Sequence, residues 1–308
     1  MNFEFKTLTD FTDHFRDEET CVKHFTAIRF ANGAYCPYCN HAEVYSFKDG
    51  KRYRCKSCKQ DFTIKTGTLF GESKLPIRKW FIAIYLLSHM SKGMSSVQLA
   101  KHVGVTQKTA WFMAHRIRGA HIQGKEKITA TAEADECYIG GLSKNMHFKK
   151  RQQANIGTGG MGKAVLFGIK SRDGEIRAQI VPAVDAATLH PIIKENVATG
   201  ATLYTDEHRV YAGLAADYKR GIIRHGLKEF VKGDCHTNGI ESFWALFKRG
   251  YHGVYHQMSR KHIQRYVNEF AFRFNRKTRG METVFGDVVT GIANTEQLPY
   301  KILTQEPA

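Results

Sequence analysis

Four cysteines constrain this chain more than any other feature. They stand as CPYC at Cys36 and Cys39 and as CKSC at Cys55 and Cys58, with fifteen residues between the pairs. Each CxxC is a tight turn that presents two thiolates, and two such turns at this separation suit one tetrahedral zinc ion. The segment EVYSFKDGKRYRC alternates aromatic and polar residues about Asp49-Gly50, so it reads as a β-hairpin turning there. Knuckle, hairpin, knuckle makes a zinc ribbon with structural Zn²⁺. A redox CxxC normally comes singly, and a disulfide framework belongs to oxidising compartments, so the paired spacing favours the metal. Cys21, Cys137 and Cys235 have no partner at ligand spacing and read as small buried side chains.

The charge points to a partner. With 46 Lys plus Arg against 29 Asp plus Glu, the 308-residue chain carries a formal +17, which suits a polyanion. No apolar run reaches transmembrane length, and the start MNFEFKTLTDFTDHF lacks the basic-then-apolar layout of a signal peptide. An intracellular protein that binds nucleic acid rather than membrane is therefore expected. The positive charge is also segregated. Ser73 to Lys125 and Lys144 to Lys163 contain no acid, and Lys248 to Arg279 contains only Glu269. Tracts of one sign suggest phosphate contacts.

The first of these tracts reads as helices. PIRKWFIAIYLLSHM forms a buried helix with proline in its first turn. A helix from about Ser96, a turn at Gly104 and a Thr106 N-cap then lead into a basic helix with Lys108, Arg116 and Arg118. That layout fits a helix-turn-helix whose second helix reads DNA, and equally an ordinary helical hairpin; the absence of acids favours DNA.

From about Ile128 the pattern becomes α/β. ITATAEADECYIGG reads as a strand, KAVLFGIKSRDGEIRAQIVP as two strands turning at Asp173-Gly174, AATLHPIIKENVATG as a helix, and ATLYTD and GIIRHG as further strands. Between the first two lies GGLSKNMHFKKRQQANIGTGGMGK, a basic, glycine-rich insert expected to stay mobile until DNA orders it. Two strands end in acids, Asp135 and Asp206, and Glu241 follows 35 residues later at the start of the helical stretch HTNGIESFWALFKRG. Asn238 and Glu241 also form a capping-box pattern, so capping and chemistry compete for the Glu241 side chain. If the three acids converge they repel one another unless divalent cations lie between them. Hard oxygen ligands then suit two Mg²⁺ or Mn²⁺ ions and phosphoryl transfer. Glu133 shares the face of Asp135 by the period of two and is a rival, whereas Glu136 points away. His208 and His236 are possible accessory groups. Lys248 and Arg249, two turns beyond Glu241, read as phosphate contacts.

DECYIGG (135 to 141), YTDEHRVY (204 to 211), HTNGIESFWALFKRG (236 to 250) and YHGVYHQMSRKHIQRYVNEFAFRFNRK together resemble the DDE transposases of bacterial insertion sequences, in the group with an N-terminal zinc ribbon. The resemblance spans nearly the whole chain. It implies a ribonuclease-H-like fold in which the first and fourth strands lie side by side. It further implies that Asp135, Asp206 and Glu241 form the metal-binding catalytic triad, although some relatives use an asparagine in this region, which keeps Asn238 as a rival. The implied reaction frees a 3′-hydroxyl at an element end and joins it to target DNA, with no covalent enzyme intermediate. Joining two ends implies a homodimer or larger assembly on double-stranded DNA, in the bacterial cytoplasm near the nucleoid. The expected layout is a helical segment 1–33, a zinc ribbon 34–66, a helix-turn-helix region 67–124, a catalytic domain 125–285 and a tail 286–308. The alternatives are a DNA-binding regulator with an inert nuclease-like domain, and a ribonuclease or repair nuclease on the same fold.

Overall fold

The computed structural model describes residues 5–48, 50–121, 123–124, 126–140, 163–172, 174–227, 229 and 231–305. Most of the basic insert, 141–162, lies outside the described residues, as do the hairpin-turn residues Asp49 and Asp173. The chain divides into two units, one of Met1–Ile122 with Arg276–Ala308 and one of Gln123–Asn275.

The first unit opens with α1 (Leu8–His14) and α2 (Glu18–Arg29), each started by a side-chain cap, from Thr7 and Asp17. Three short antiparallel strands follow, β1 (Val44–Ser46), β2 (Arg52–Cys55) and β3 (Asp61–Thr63), in that order. The expected hairpin is β1–β2; β3 is an addition that three residues, DFT, were too short to signal. The Arg29 guanidinium fastens this ribbon to α2 by donating to the carbonyls of Thr63, Ile64 and Thr66. Then come α3 (Ile77–His89), α4 (Ser96–Val103) and α5 (Gln107–Gly119). Pro76 precedes α3, whose first two amides, Ile77 and Arg78, are capped by the Glu18 carboxylate at 2.7 and 2.9 Å. Gly104 ends α4 in the left-handed region at φ 65°, and the Thr106 hydroxyl caps α5.

The second unit is a five-stranded sheet with helices on both faces. Its strands are β4 (Thr131–Ile139), β5 (Ala164–Ser171), β6 (Ile176–Val181), β7 (Thr202–Asp206) and β8 (Lys219–Ile223), in the order β6-β5-β4-β7-β8. β4, β5 and β6 form an antiparallel meander, and α6 (Ala186–Asn196) carries the chain across so that β7 lies parallel to β4. One face buries Ala132, Ala134, Ile169 and Leu203 against α6 and a 3₁₀ segment, Arg209–Ala216. The other buries Cys137, Ile139 and Leu166 under α7 (Asn238–Gly250) and α8 (Ile263–Asn275). Tyr266 and Phe270 of α8, four residues apart on one helical face, lie in this core. Glu269, the lone acid of the third basic tract, is buried against Arg273 and accepts the Tyr255 hydroxyl at 3.0 Å.

The open edge of β6 is closed by amide side chains. Asn275 accepts from Ile176 N–H at 2.9 Å and donates to its carbonyl at 3.0 Å; Gln123 does the same to Ala178, at 2.8 and 2.7 Å. Gln264 accepts from Ile180 N–H at 2.7 Å. These amides take the place of a neighbouring strand and blunt an edge that would otherwise be able to pair with another chain.

After α8 the chain returns to the first unit as α9 (Met281–Asn294) and α10 (Tyr300–Thr304). Phe285 of α9 meets Phe5, Phe11, Phe15 and Phe81 at ring-centroid distances of 5.1–5.7 Å. The stretch after 275, read from sequence partly as catalytic domain and partly as tail, therefore completes the core of the N-terminal helices. Its apolar stripe of Val284, Phe285, Val288 and Ile292 is fully buried there.

Candidate metal centres and carboxylate site

In the ribbon the Sγ atoms of Cys36, Cys39, Cys55 and Cys58 all lie within 4.8 Å of one another. The pairs Cys36–Cys58 and Cys39–Cys55 are 3.6 Å apart, close to the edge of about 3.8 Å that a tetrahedron with zinc–sulfur bonds of 2.3 Å requires. The two knuckles are built alike. Tyr38 N–H points to Cys36 Sγ at 3.4 Å and Ser57 N–H to Cys55 Sγ at 3.3 Å. Asn40 and Lys59, each just after the second cysteine of its pair, adopt φ of 57° and 60°, which turns the chain back over the thiolates. The four thiols fit a structural zinc ion. Among the described residues this is the one group of three or more ligand-type side chains gathered so tightly. Cys21 and Cys137 are buried, as expected of core cysteines, and burial pushes both thiols up to about 12; Cys235 is half-buried.

The second unit brings Asp135, Asp206 and Glu241 to one face of its sheet. β4 and β7 run parallel with Glu133 level with Tyr204, so two residues further on Asp135 is level with Asp206. By alternation both residues belong to the face of the sheet that α7 covers, and α7 carries Glu241 in its first turn. The residue opposite Asp135 on β5 is Gly168, where a Cβ would fall 2.8 Å from the Trp244 ring and 3.0 Å from Ile240. This glycine lets α7 approach the strand that bears Asp135. The Asp135 carboxyl is pushed up to about 7, first by burial and then by the negative charges of Glu136, Asp206 and Glu241. The three acids thus sense one another, although they are not drawn together as tightly as the zinc thiols. Their hard oxygen donors and mutual repulsion suit divalent cations.

The expected Asn238–Glu241 capping box does not form. Thr237 is the N-cap residue, with no side-chain cap of its own, and its hydroxyl donates to Glu241 Oε1 at 2.6 Å. Glu133 takes over the helix end. Its Oε2 accepts from Ile240 N–H at 2.9 Å, while Oε1 accepts from Arg172 at 3.2 Å and lies 3.6 Å from His236 Nδ1. The rival acid on the Asp135 face is thus engaged with a helix terminus and an arginine. Glu136 faces the opposite side, accepts the buried Tyr211 hydroxyl and is itself raised to about 7, chiefly by burial.

The other site candidates are scattered. His208 is exposed and caps the 3₁₀ segment, and its N–H donates to Asp206 Oδ1 at 3.0 Å. His236 belongs to the Glu133–Arg172 cluster. Asn238, Lys248 and Arg249 are exposed, and the Lys248 charge reaches Cys137, two residues from Asp135. Of the basic residues on α5, Lys108 is exposed, but Arg116 and Arg118 are 3% and 2% exposed. Arg116 donates to the carbonyls of Leu298 at 3.1 Å and Gly71 at 2.8 Å, and burial lowers its guanidinium to about 10. Their assignment as DNA contacts is corrected: both arginines lie inside the first unit. The helix-turn-helix layout and the acid-free tract marked them, and their positions on the inner face of α5 decided otherwise. Sequence reasoning missed Arg172, although its place at the β5–β6 turn put it within reach of the loop before α7.

Comparison with known proteins identifies two domains in the chain. Residues 127–275 match the ISXO2-like transposase domain, and residues 16–61 match the transposase zinc-ribbon domain. The chain is 29% identical over 272 residues, 84% of its own length and 91% of the relative's, to an "Uncharacterized protein in transposable element ISH50" of Halobacterium salinarum. It is also 34% identical over 97 residues, 31% of this chain and 77% of the relative, to an "Uncharacterized transposase-like protein" of Haemophilus influenzae. No solved structure matches the chain. The chain belongs to the DDE transposases of insertion sequences that carry an N-terminal zinc ribbon. Among the described residues no helix is long and apolar enough to cross a membrane.

Proposed function

We propose that this chain binds the ends of its insertion sequence and catalyses metal-dependent strand cleavage and strand transfer, with Asp135, Asp206 and Glu241 as the metal-holding carboxylates. One observation carries the reading: the parallel β4–β7 register, followed two residues past Glu133 and Tyr204, sets Asp135 beside Asp206, and α7 brings in Glu241, so that after burial and the Glu136 charge both acids also raise the Asp135 carboxyl. The strand order, with three antiparallel strands and the fourth beside the first, supports a ribonuclease-H-like domain. Glu241 is preferred to Asn238 because a carboxylate carries the charge a cation needs, and Glu241 lies within electrostatic reach of Asp135.

Two Mg²⁺ or Mn²⁺ ions, when bound, would activate the attacking hydroxyl and stabilise the leaving oxygen. The protein's own part is to hold them and to place DNA. Asp135 and Asp206 stand on rigid strands, which keeps their oxygens in register, and Glu241 approaches from a helix packed on that sheet. Lys248 and Arg249, exposed on the last turn of α7, are placed for phosphates of the bound strand. In the first unit α4, the Gly104 turn and α5 form a helix-turn-helix candidate. The exposed residues at the start of α5, Gln107 and Lys108, are the ones placed to enter a groove. Because two ends are joined, a dimer or larger assembly on DNA is expected.

The test uses the purified protein, DNA from the element's end, and Mg²⁺ or Mn²⁺. Wild type should nick at a defined end, while Asp135→Asn, Asp206→Asn and Glu241→Gln bind that DNA without cutting it. Cutting by Glu241→Gln with loss in Asn238→Ala would move the third ligand to Asn238. End binding without cutting by wild type under any metal would support the regulator.

A further inference from the structure

We propose that Glu133 is a positioning residue for cleavage: it latches the N-terminus of α7 to the strand bearing Asp135 and so holds Glu241 over the aspartates. This rests on the triad reading above. Glu133 stands two residues before Asp135 on the same face of β4 and is 1% exposed. Its carboxylate accepts the N–H of Ile240, the residue immediately before Glu241, at 2.9 Å. Its other oxygen takes Arg172, which also grips the carbonyls of Asp234 at 2.6 Å and His236 at 3.1 Å in the loop entering the helix. The helix has no local side-chain cap, because the Thr237 hydroxyl is turned to Glu241. Its cap therefore comes from the strand.

The fit leaves no slack. A Cβ on Gly239 would lie 2.7 Å from Glu133 Oε2 and 3.0 Å from Lys170 Cδ, so alanine here would have to displace the carboxylate that caps the helix. The latch has a force to oppose. Repulsion among Asp135, Asp206 and Glu241 pushes α7 away from β4, whereas the Glu133 charge attracts both the positive end of the helix and Arg172. One side chain on β4 thereby sets the spacing between the first and third carboxylates.

Glu133→Gln keeps the size and an acceptor oxygen but removes the charge, and Gly239→Ala pries the same contact from the helix side. In the full-length protein both variants should bind end DNA as wild type does. Without metal, the amides of residues 237–243 should exchange hydrogen faster. The half-saturating Mn²⁺ concentration, from titration calorimetry, should rise by about ten-fold or more, as for other residues that orient metal ligands. Cleavage should fall at low Mn²⁺ and return at high Mn²⁺. Unchanged exchange and Mn²⁺ affinity in both variants would overturn the proposal. Loss of cleavage in Glu133→Gln that no Mn²⁺ concentration restores would also overturn it, by making Glu133 a ligand. Should Glu133→Gln not fold, Gly239→Ala carries the same measurements. Glu241→Gln tests the triad separately: wild-type cleavage by that variant defeats the triad reading, while the exchange data still report on the latch.

Discussion

Replacing Asp135 by asparagine should stabilise the metal-free protein at alkaline pH while abolishing cleavage. The Asp135 carboxyl is moved from its ordinary value of 3.8 to about 7 by burial and by neighbouring acids. At 1.36 kcal/mol per pH unit, holding it ionised in the folded state at pH 8 costs about 4 kcal/mol, and relaxation around the site reduces that to about 2 kcal/mol. A carboxyl whose value is raised on folding favours the native state most at a pH below its unfolded value. That contribution is lost as the pH climbs from about 4 through about 7. Asparagine has the same shape and nothing to ionise. At pH 8 and without metal, thermal unfolding of the Gln123–Asn275 unit should therefore occur about 4–8 °C higher in Asp135→Asn than in wild type. At pH 5 the folded carboxyl carries the proton but the unfolded one is still ionised, so the difference should shrink to about 2–3 °C and close only at about pH 3. Adding Mg²⁺ at pH 8 should raise the wild-type midpoint and leave the variant where it was. A gap equal at both pH values would trace to packing rather than charge. A variant less stable than wild type at pH 8 would refute the account of a strained, metal-seeking carboxylate.

Three further outcomes are expected. Cys36→Ser should lose the one zinc per chain measured by a chromophoric chelator and release hydrogen-exchange protection across 34–66, because among the described residues the ribbon buries little beyond Cys36, Cys55, Phe62 and Ile64; melting of residues 123–275 should not change. Arg116→Ala should lower stability by about 2–3 kcal/mol in denaturant titration, through two orphaned carbonyls, whereas Lys108→Ala should cost no more than about 1 kcal/mol, from its contact with the Tyr300 ring, and reduce the salt dependence of DNA binding by about one ion. Gln264→Ala should uncover the Ile180 N–H on the β6 edge, at a cost of about 1 kcal/mol, and sedimentation should show concentration-dependent self-association absent from wild type.

Much of the chain was legible because its signals are local. The CxxC spacing needs only two turns and a hairpin, so the zinc ribbon could be read directly from Cys36 to Cys58. The strands of the second unit announced themselves through alternation, and α4 and α5 through Gly104 and Thr106, which act within a turn of where they stand. Asp135, Asp206 and Glu241 were singled out as candidate ligands by their motifs, and alternation placed Glu136 on the far side of β4.

Tertiary structure decided what periodicity leaves equal. Glu133 and Asp135 occupy the same face of one strand, and only the descent of α7 onto β4 makes the first a helix anchor and leaves the second facing Asp206 and Glu241. The end of α7 that sequence assigned to an Asn238–Glu241 box is instead capped by Glu133, more than a hundred positions earlier, while Glu241 accepts the Thr237 hydroxyl. Arg116 and Lys108 are two basic residues of one helix, and burial against Gly71 and Leu298 removes the first from the surface. Helix α9 joins the N-terminal core because Phe285 fits among Phe5, Phe11, Phe15 and Phe81. Residue types and short spacings determine which groups can bind metal or form a helix, since those depend on neighbours within a turn or two. Which group is left facing the site depends on long-range packing, where burial and competing hydrogen bonds assign each side chain a single task.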